Sequence, residues 1–160
     1  DKERHVYGIT GDCGFMLSLQ EEARQHTEKP VLMSSLCQAP TVINYFAKHE
    51  LIAIFTSDEE ALKSMLPLIK EQCGIDLKET RFVIVDCKKV PVLGEALASG
   101  LKVDWEAATP HMVKLAQDTV KANPALRAII LECTELPPYS DALRAATGLP
   151  VFDSITTSNA

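Results

Sequence analysis

ALRAIILECTELPPYSDALRAATGLPVFDS, residues 125–154, carries strand, turn, helix and strand in thirty positions. Its first nine residues are apolar and β-branched enough for a buried strand. Pro137 and Pro138 suit the opening of a helix, which continues through YSDALRAAT. LPVFDS (149–154) reads as a short closing strand. A strand, a crossing helix and a second strand form the unit of a parallel sheet.

The same alternation extends towards the N-terminus. LIAIFTS (51–57) and RFVIVDC (81–87) read as buried strands. Between them DEEALKSMLPLIKEQCG forms a helix capped by Ser57 or Asp58, kinked or shortened at Pro67 and stopped at Gly74. Residues 105–122 form a long helix closed by Asn123-Pro124, while VPVLGEALASG fits no single element. Nearer the start, HVYGIT (5–10) and PVLMSS (30–35) are short strands. Helices are expected over 14–27, with Phe15, Leu19 and Ala23 on one face, and over 39–49, with Pro40 in the first turn. The expected class is α/β, with mostly parallel sheets flanked by helices.

The composition sets bounds. At 160 residues with a net charge of −6 and no basic cluster, the chain gives no support for a nucleic-acid partner. The apolar runs are too short to span a bilayer, and DKERHVYG is not a secretion signal. A cytoplasmic location with reduced thiols is therefore expected. The histidines are not spaced as metal ligands, and the phosphate-loop and nucleophile-elbow motifs are missing from the sequence.

Five cysteines stand at 13, 37, 73, 87 and 133, with no C-x-x-C pair. Cys13 and Cys133 share a setting: each ends a strand and precedes a helix, where ligands bind in open parallel sheets. A helix N-terminus would favour thiolate at either, while the adjacent Asp12 and Glu132 would oppose it. Burial as small apolar groups is the competing reading for both. Cys37, Cys73 and Cys87 are read as structural.

GITGDCGF (8–15), PVLMSSLCQAP (30–40) and the stretch 129–153 together resemble the aspartate/glutamate racemase superfamily. The resemblance implies two pseudo-symmetric α/β lobes, with the N-terminal part of the first lobe lacking here. Residues 1–46 plus 149–160 would be the remainder of the first lobe, and residues 47–148 the second. It implies a cofactor-independent isomerase in which Cys13 and Cys133 face each other across a small carboxylate, an amino acid or a derivative. One thiolate would take the proton beside the carboxylate and the other thiol would return one to the opposite face. Thr10, Gly14, Ser34, Ser35, Thr56 and Thr134 would bind the substrate, with no metal and no other cofactor. Exposed sheet edges in a shortened first lobe make a homodimer the expected assembly. A second reading is an inactive relative that binds a small carboxylate or only assembles. A third uses the two thiols as a redox disulfide.

Overall fold

Strand β3 (Leu51–Thr56) has a neighbour on each side, so both of its faces need cover. In the computed structural model, which describes residues 6–79 and 81–159, it pairs in parallel with β4 (Phe82–Asp86) and with β5 (Leu126–Leu131). β5 pairs in parallel with β6 (Val151–Phe152), giving the order β4-β3-β5-β6. A second, two-stranded parallel sheet joins β1 (Ile9–Thr10) to β2 (Val31–Leu32). The parallel α/β architecture expected from the alternating pattern is the one observed. The His5 end of the first expected strand lies outside the described residues.

Alternation along the central strands builds two cores. Ala53 and Phe55 of β3 and Ile129 and Leu131 of β5 face one helical layer. That layer is α6 (Trp105–Ala122), through Ala108, Met112 and Ala116, and α7 (Ser140–Thr147), through Leu143. Ile52, Ile54, Ala128 and Ile130 face the opposite layer, which includes Leu17, Leu36, Val42 and Ile69. Ile52 through Phe55 are all fully buried, as a strand covered on both faces requires.

The helices follow local chemistry. Asp58, rather than Ser57, caps α3 (Glu59–Ser64), accepting from the Glu60 and Ala61 N–H groups at 3.0 and 3.2 Å. Pro67 ends that helix early, and α4 (Leu66–Cys73) restarts after Met65 and stops at left-handed Gly74. The undecided VPVLGEALASG segment contains α5 (Leu93–Ser99). Gly94 is required there: a Cβ would sit 1.9 Å from the Lys88 carbonyl oxygen.

The N-terminal segment departs from its pattern. Residues 14–19 form a 3-10 turn, and α1 spans only Gln20–Gln25. Gln20 explains the break, because its side chain is buried and serves β2. It donates to the Val31 carbonyl at 2.7 Å and accepts from the Met33 N–H at 2.8 Å. α2 is likewise short, Ala39–Asn44, preceded by a 3-10 turn over Ser35–Gln38. After β6, α8 (Ser154–Ser158) begins with a capping box between Asp153 and Thr156. It returns the chain to the small sheet, where Ser158 and Thr10 hydroxyls meet at 3.3 Å. Among the described residues no helix is long and apolar enough to cross a membrane.

Candidate active site

The carboxyl ends of β1, β3 and β5 open onto one edge of the molecule. β1 runs into Asp12-Cys13-Gly14, and β5 runs into Glu132-Cys133-Thr134. Thr134 Oγ1 donates to the Asp12 carbonyl at 3.2 Å, tying the two turns together one residue from each cysteine. The Cys13 and Cys133 sulfurs lie within electrostatic reach, so a negative charge on Cys13 pushes the Cys133 thiol up. Both cysteines are half-buried.

Glu132 occupies the junction. It is 5 % exposed, and its backbone N–H donates to the Phe55 carbonyl at 2.9 Å, extending the β3–β5 ladder. Its carboxyl accepts from Thr56 Oγ1 at 2.8 Å and from the Gly14 N–H. Burial pushes that carboxyl above the usual carboxylate range, against the pull of these two donors. A Cβ on Gly14 would lie 1.5 Å from Glu132 Oε1, so the first turn has glycine where the acid enters. None of the ion pairs among the described residues includes Glu132.

Burial also pushes the Cys133 thiol up. The Glu135 N–H and the Ser57 hydroxyl donate towards its sulfur and work the other way, while the Glu132 charge adds to the rise. These donors replace the helix dipole expected from the sequence. Cys13 precedes a 3-10 turn, and Cys133 stands several residues before α7, so neither begins an α-helix.

The expected hydroxyl cradle is differently employed. Ser35 Oγ donates to the Leu131 carbonyl at 2.7 Å and holds the end of β5. Ser34 caps the following turn by accepting from the Leu36 N–H at 3.2 Å. Thr56 is committed to Glu132, Thr10 to Ser158, and Gly14 to the Glu132 carboxyl. Thr134 is exposed and donates to the Asp12 carbonyl. Ser57 and Glu132 were not in the expected binding set. The signal for Glu132 was in the sequence: an acid closing the apolar run AIIL, where a strand covered on both faces has little water to offer.

Cys37 and Cys73 form a second thiol pair, away from this edge. The neighbouring Cys73 thiol draws the Cys37 thiol down to about 7, with burial opposing and the Ser34 backbone and Arg24 charge assisting, while Cys37 Sγ itself donates to Gln20 Oε1 at 3.7 Å. Cys73 is pushed up in return. Cys37 also lines a cavity of about 220 Å³ with Val42, Tyr45 and Phe152. At pH 7.5 Cys37 is therefore expected to be alkylated by iodoacetamide well before Cys133, as peptide mass mapping over time would record. Equal rates would count against a lowered Cys37 thiol.

The fold is similar to that of a solved structure. Allantoin racemase from Pseudomonas fluorescens superposes with a TM-score of 0.58 over 98% of this chain and 60% of its own, at 21% identity. No protein-family model matches the chain.

Relatives by sequence point to different chemistry. Dimethylsulfoniopropionate lyase 6 of Emiliania huxleyi (strain CCMP1516) is 56% identical over 98% of this chain, which spans 42% of that relative. Dimethylsulfoniopropionate lyase 7 of the same strain is 56% identical over 96% of the chain, spanning 46% of the relative. The dimethylsulfoniopropionate lyase of Durusdinium sp. clade D is 44% identical over 99% of the chain, spanning 52% of the relative. The chain thus spans about half the length of the curated relatives it matches. These relatives are lyases, which overturns the isomerase and racemase assignment drawn from the family resemblance. The physical reason is that removal of a proton beside a carboxylate is a step common to both outcomes. A leaving group on the neighbouring carbon turns it into elimination.

Proposed function

We propose that this chain carries the cysteine site of a lyase that cleaves dimethylsulfoniopropionate by β-elimination. The observation that carries the reading is the 56% identity to dimethylsulfoniopropionate lyases across nearly the whole chain. The joined cysteine turns support it. The substrate is a small carboxylate whose sulfonium sulfur is bonded to the carbon one position beyond the acidic C–H. In the proposed step the Cys133 thiolate takes a proton from the carbon next to the carboxylate. The C–H electron pair becomes the new C=C bond, the C–S bond breaks, and sulfur leaves with its pair as neutral dimethyl sulfide. Acrylate and a Cys133 thiol remain, and the thiol returns its proton to solvent. Glu135 N–H and the Ser57 hydroxyl equip the Cys133 sulfur to hold charge before the step. Cys13 stands on the neighbouring turn, which Thr134 ties to that of Cys133 through the Asp12 carbonyl.

The reading is tested by incubating the chain with dimethylsulfoniopropionate and measuring dimethyl sulfide and acrylate together. Equimolar release supports it, and a folded chain that releases neither overturns it. The pH profile adds a check. Because the Cys133 thiol is pushed above its ordinary 9.0, its reactive thiolate fraction grows as pH rises towards and beyond that value. We therefore expect kcat/KM to climb by about tenfold per pH unit through the neutral range and to level off only in alkaline solution. A plateau already reached near pH 6 would contradict Cys133 as the base.

A further inference from the structure

A buried carboxyl costs stability unless it is paired, and cations are the usual partners. Glu132 has two neutral donors, Thr56 Oγ1 and the Gly14 N–H, and belongs to none of the ion pairs among the described residues. Gly14, where a Cβ would meet Glu132 Oε1 at 1.5 Å, provides the space this carboxyl fills. The acid also lies beside Cys133, whose thiolate its charge disfavours. A purely structural site would be better served by an apolar residue, and a general base alone would be better served by a neutral one. Both costs are offset if the ligand brings a positive charge to the two turns.

We infer that Glu132 is a specificity-determining residue, the counter-charge that makes the joined Cys13 and Cys133 turns select a cationic carboxylate over a neutral one of the same shape. The inference rests on the lyase reading for the identity of the cation, a sulfonium. A sulfonium seated near Cys133 is attracted by the Glu132 carboxylate, and its positive charge favours the Cys133 thiolate that must then take the proton. Binding of the correct ligand thereby prepares the base.

The test compares two ligands that differ in charge and little else. Dimethylsulfoniopropionate and 4-methylpentanoate share a carboxylate and a branched end, with sulfonium sulfur in one and a C–H group in the other. Dissociation constants are measured calorimetrically for the wild-type chain, E132Q and T56V, each carrying Cys133→Ser so that the sulfonium ligand is not consumed. E132Q keeps an oxygen for the Gly14 N–H and removes the charge. The wild type is expected to favour the sulfonium by more than about tenfold, and E132Q to lose that preference while binding 4-methylpentanoate as before. T56V takes away the hydroxyl that donates to Oε2, disfavours the charged carboxyl and shifts the ratio in the same direction. If E132Q does not fold, T56V carries the test. Equal weakening of both ligands, or an unchanged ratio in every variant that folds, overturns the inference. A chain that prefers the sulfonium through Glu132 yet, with Cys133 in place, releases no dimethyl sulfide would instead leave the inference standing and remove the lyase reading.

Discussion

Cys133→Ser is expected to lower kcat/KM for the proposed release of dimethyl sulfide by about 10²–10⁴-fold while leaving the fold intact. A serine hydroxyl is far too weak an acid to supply an alkoxide at neutral pH, so the base is lost while the volume is almost kept. The side chain is half-buried at the edge of the α6–α7 core, so the variant is expected to unfold at nearly the wild-type urea midpoint. Cys13→Ser should cost much less, on the order of tenfold. Elimination removes one proton from carbon and gives none back, and the departing sulfide is neutral. A racemisation would need both thiols equally, so the asymmetry between the two variants reports which chemistry the site performs. Steady-state kinetics beside circular dichroism checks both statements.

Gly14→Ala carries the second large effect. The new Cβ would meet Glu132 Oε1 at 1.5 Å and its carboxyl carbon at 2.5 Å, distances that no rotation of the methyl relieves. The carboxyl must swing out of its place, leaving Thr56 Oγ1 without its 2.8 Å partner. Overpacking of this kind costs about 1–3 kcal/mol, read as a lower urea midpoint at unchanged slope. Activity should fall as well, because the displaced carboxyl stands beside Cys133. Adding Glu132→Ala to Gly14→Ala empties the space the methyl needs. The double variant is expected to be more stable than the sum of the two single changes by over ~1 kcal/mol. Strict additivity would show that Gly14 and Glu132 do not share that space.

The strands of the large sheet were legible because a parallel strand covered on both faces has little freedom of composition. LIAIF and AIIL hold the apolar residues that the two cores bury. Pro67 and Gly74 likewise mark the restart and end of α4 in plain chemistry. The N-terminal helix was not legible at its true length, because Phe15, Leu19 and Ala23 keep helical spacing through a 3-10 turn. What decides the break is Gln20, whose buried amide answers to β2, eleven and thirteen residues further along the chain. α8 was hidden for a similar reason: its capping box is local, but its packing partner is the distant small sheet.

The candidate site divides in the same way. That the Cys13 and Cys133 turns come together was within reach of the sequence, because each follows a strand of a parallel sheet. Which hydroxyls remain free was not, since Ser35, Thr56 and Thr10 are claimed by contacts 96, 76 and 148 residues away in sequence. Glu132 was read only as a charge beside a thiol, whereas in the fold it is the group that joins both cysteine turns to the end of β3. The choice between racemisation and elimination was beyond the chain's own residues altogether. In the proposed reading it follows from what the substrate carries one carbon further on, a reading that rests on the relatives named as lyases.

The most direct test of the central claim, that a Cys133 thiolate drives elimination, is headspace dimethyl sulfide measured from wild type and Cys133→Ser under identical conditions at pH 8. The account predicts steady release with matching acrylate from the wild type and only the buffer rate from the variant. Release at the same rate from both proteins would contradict it.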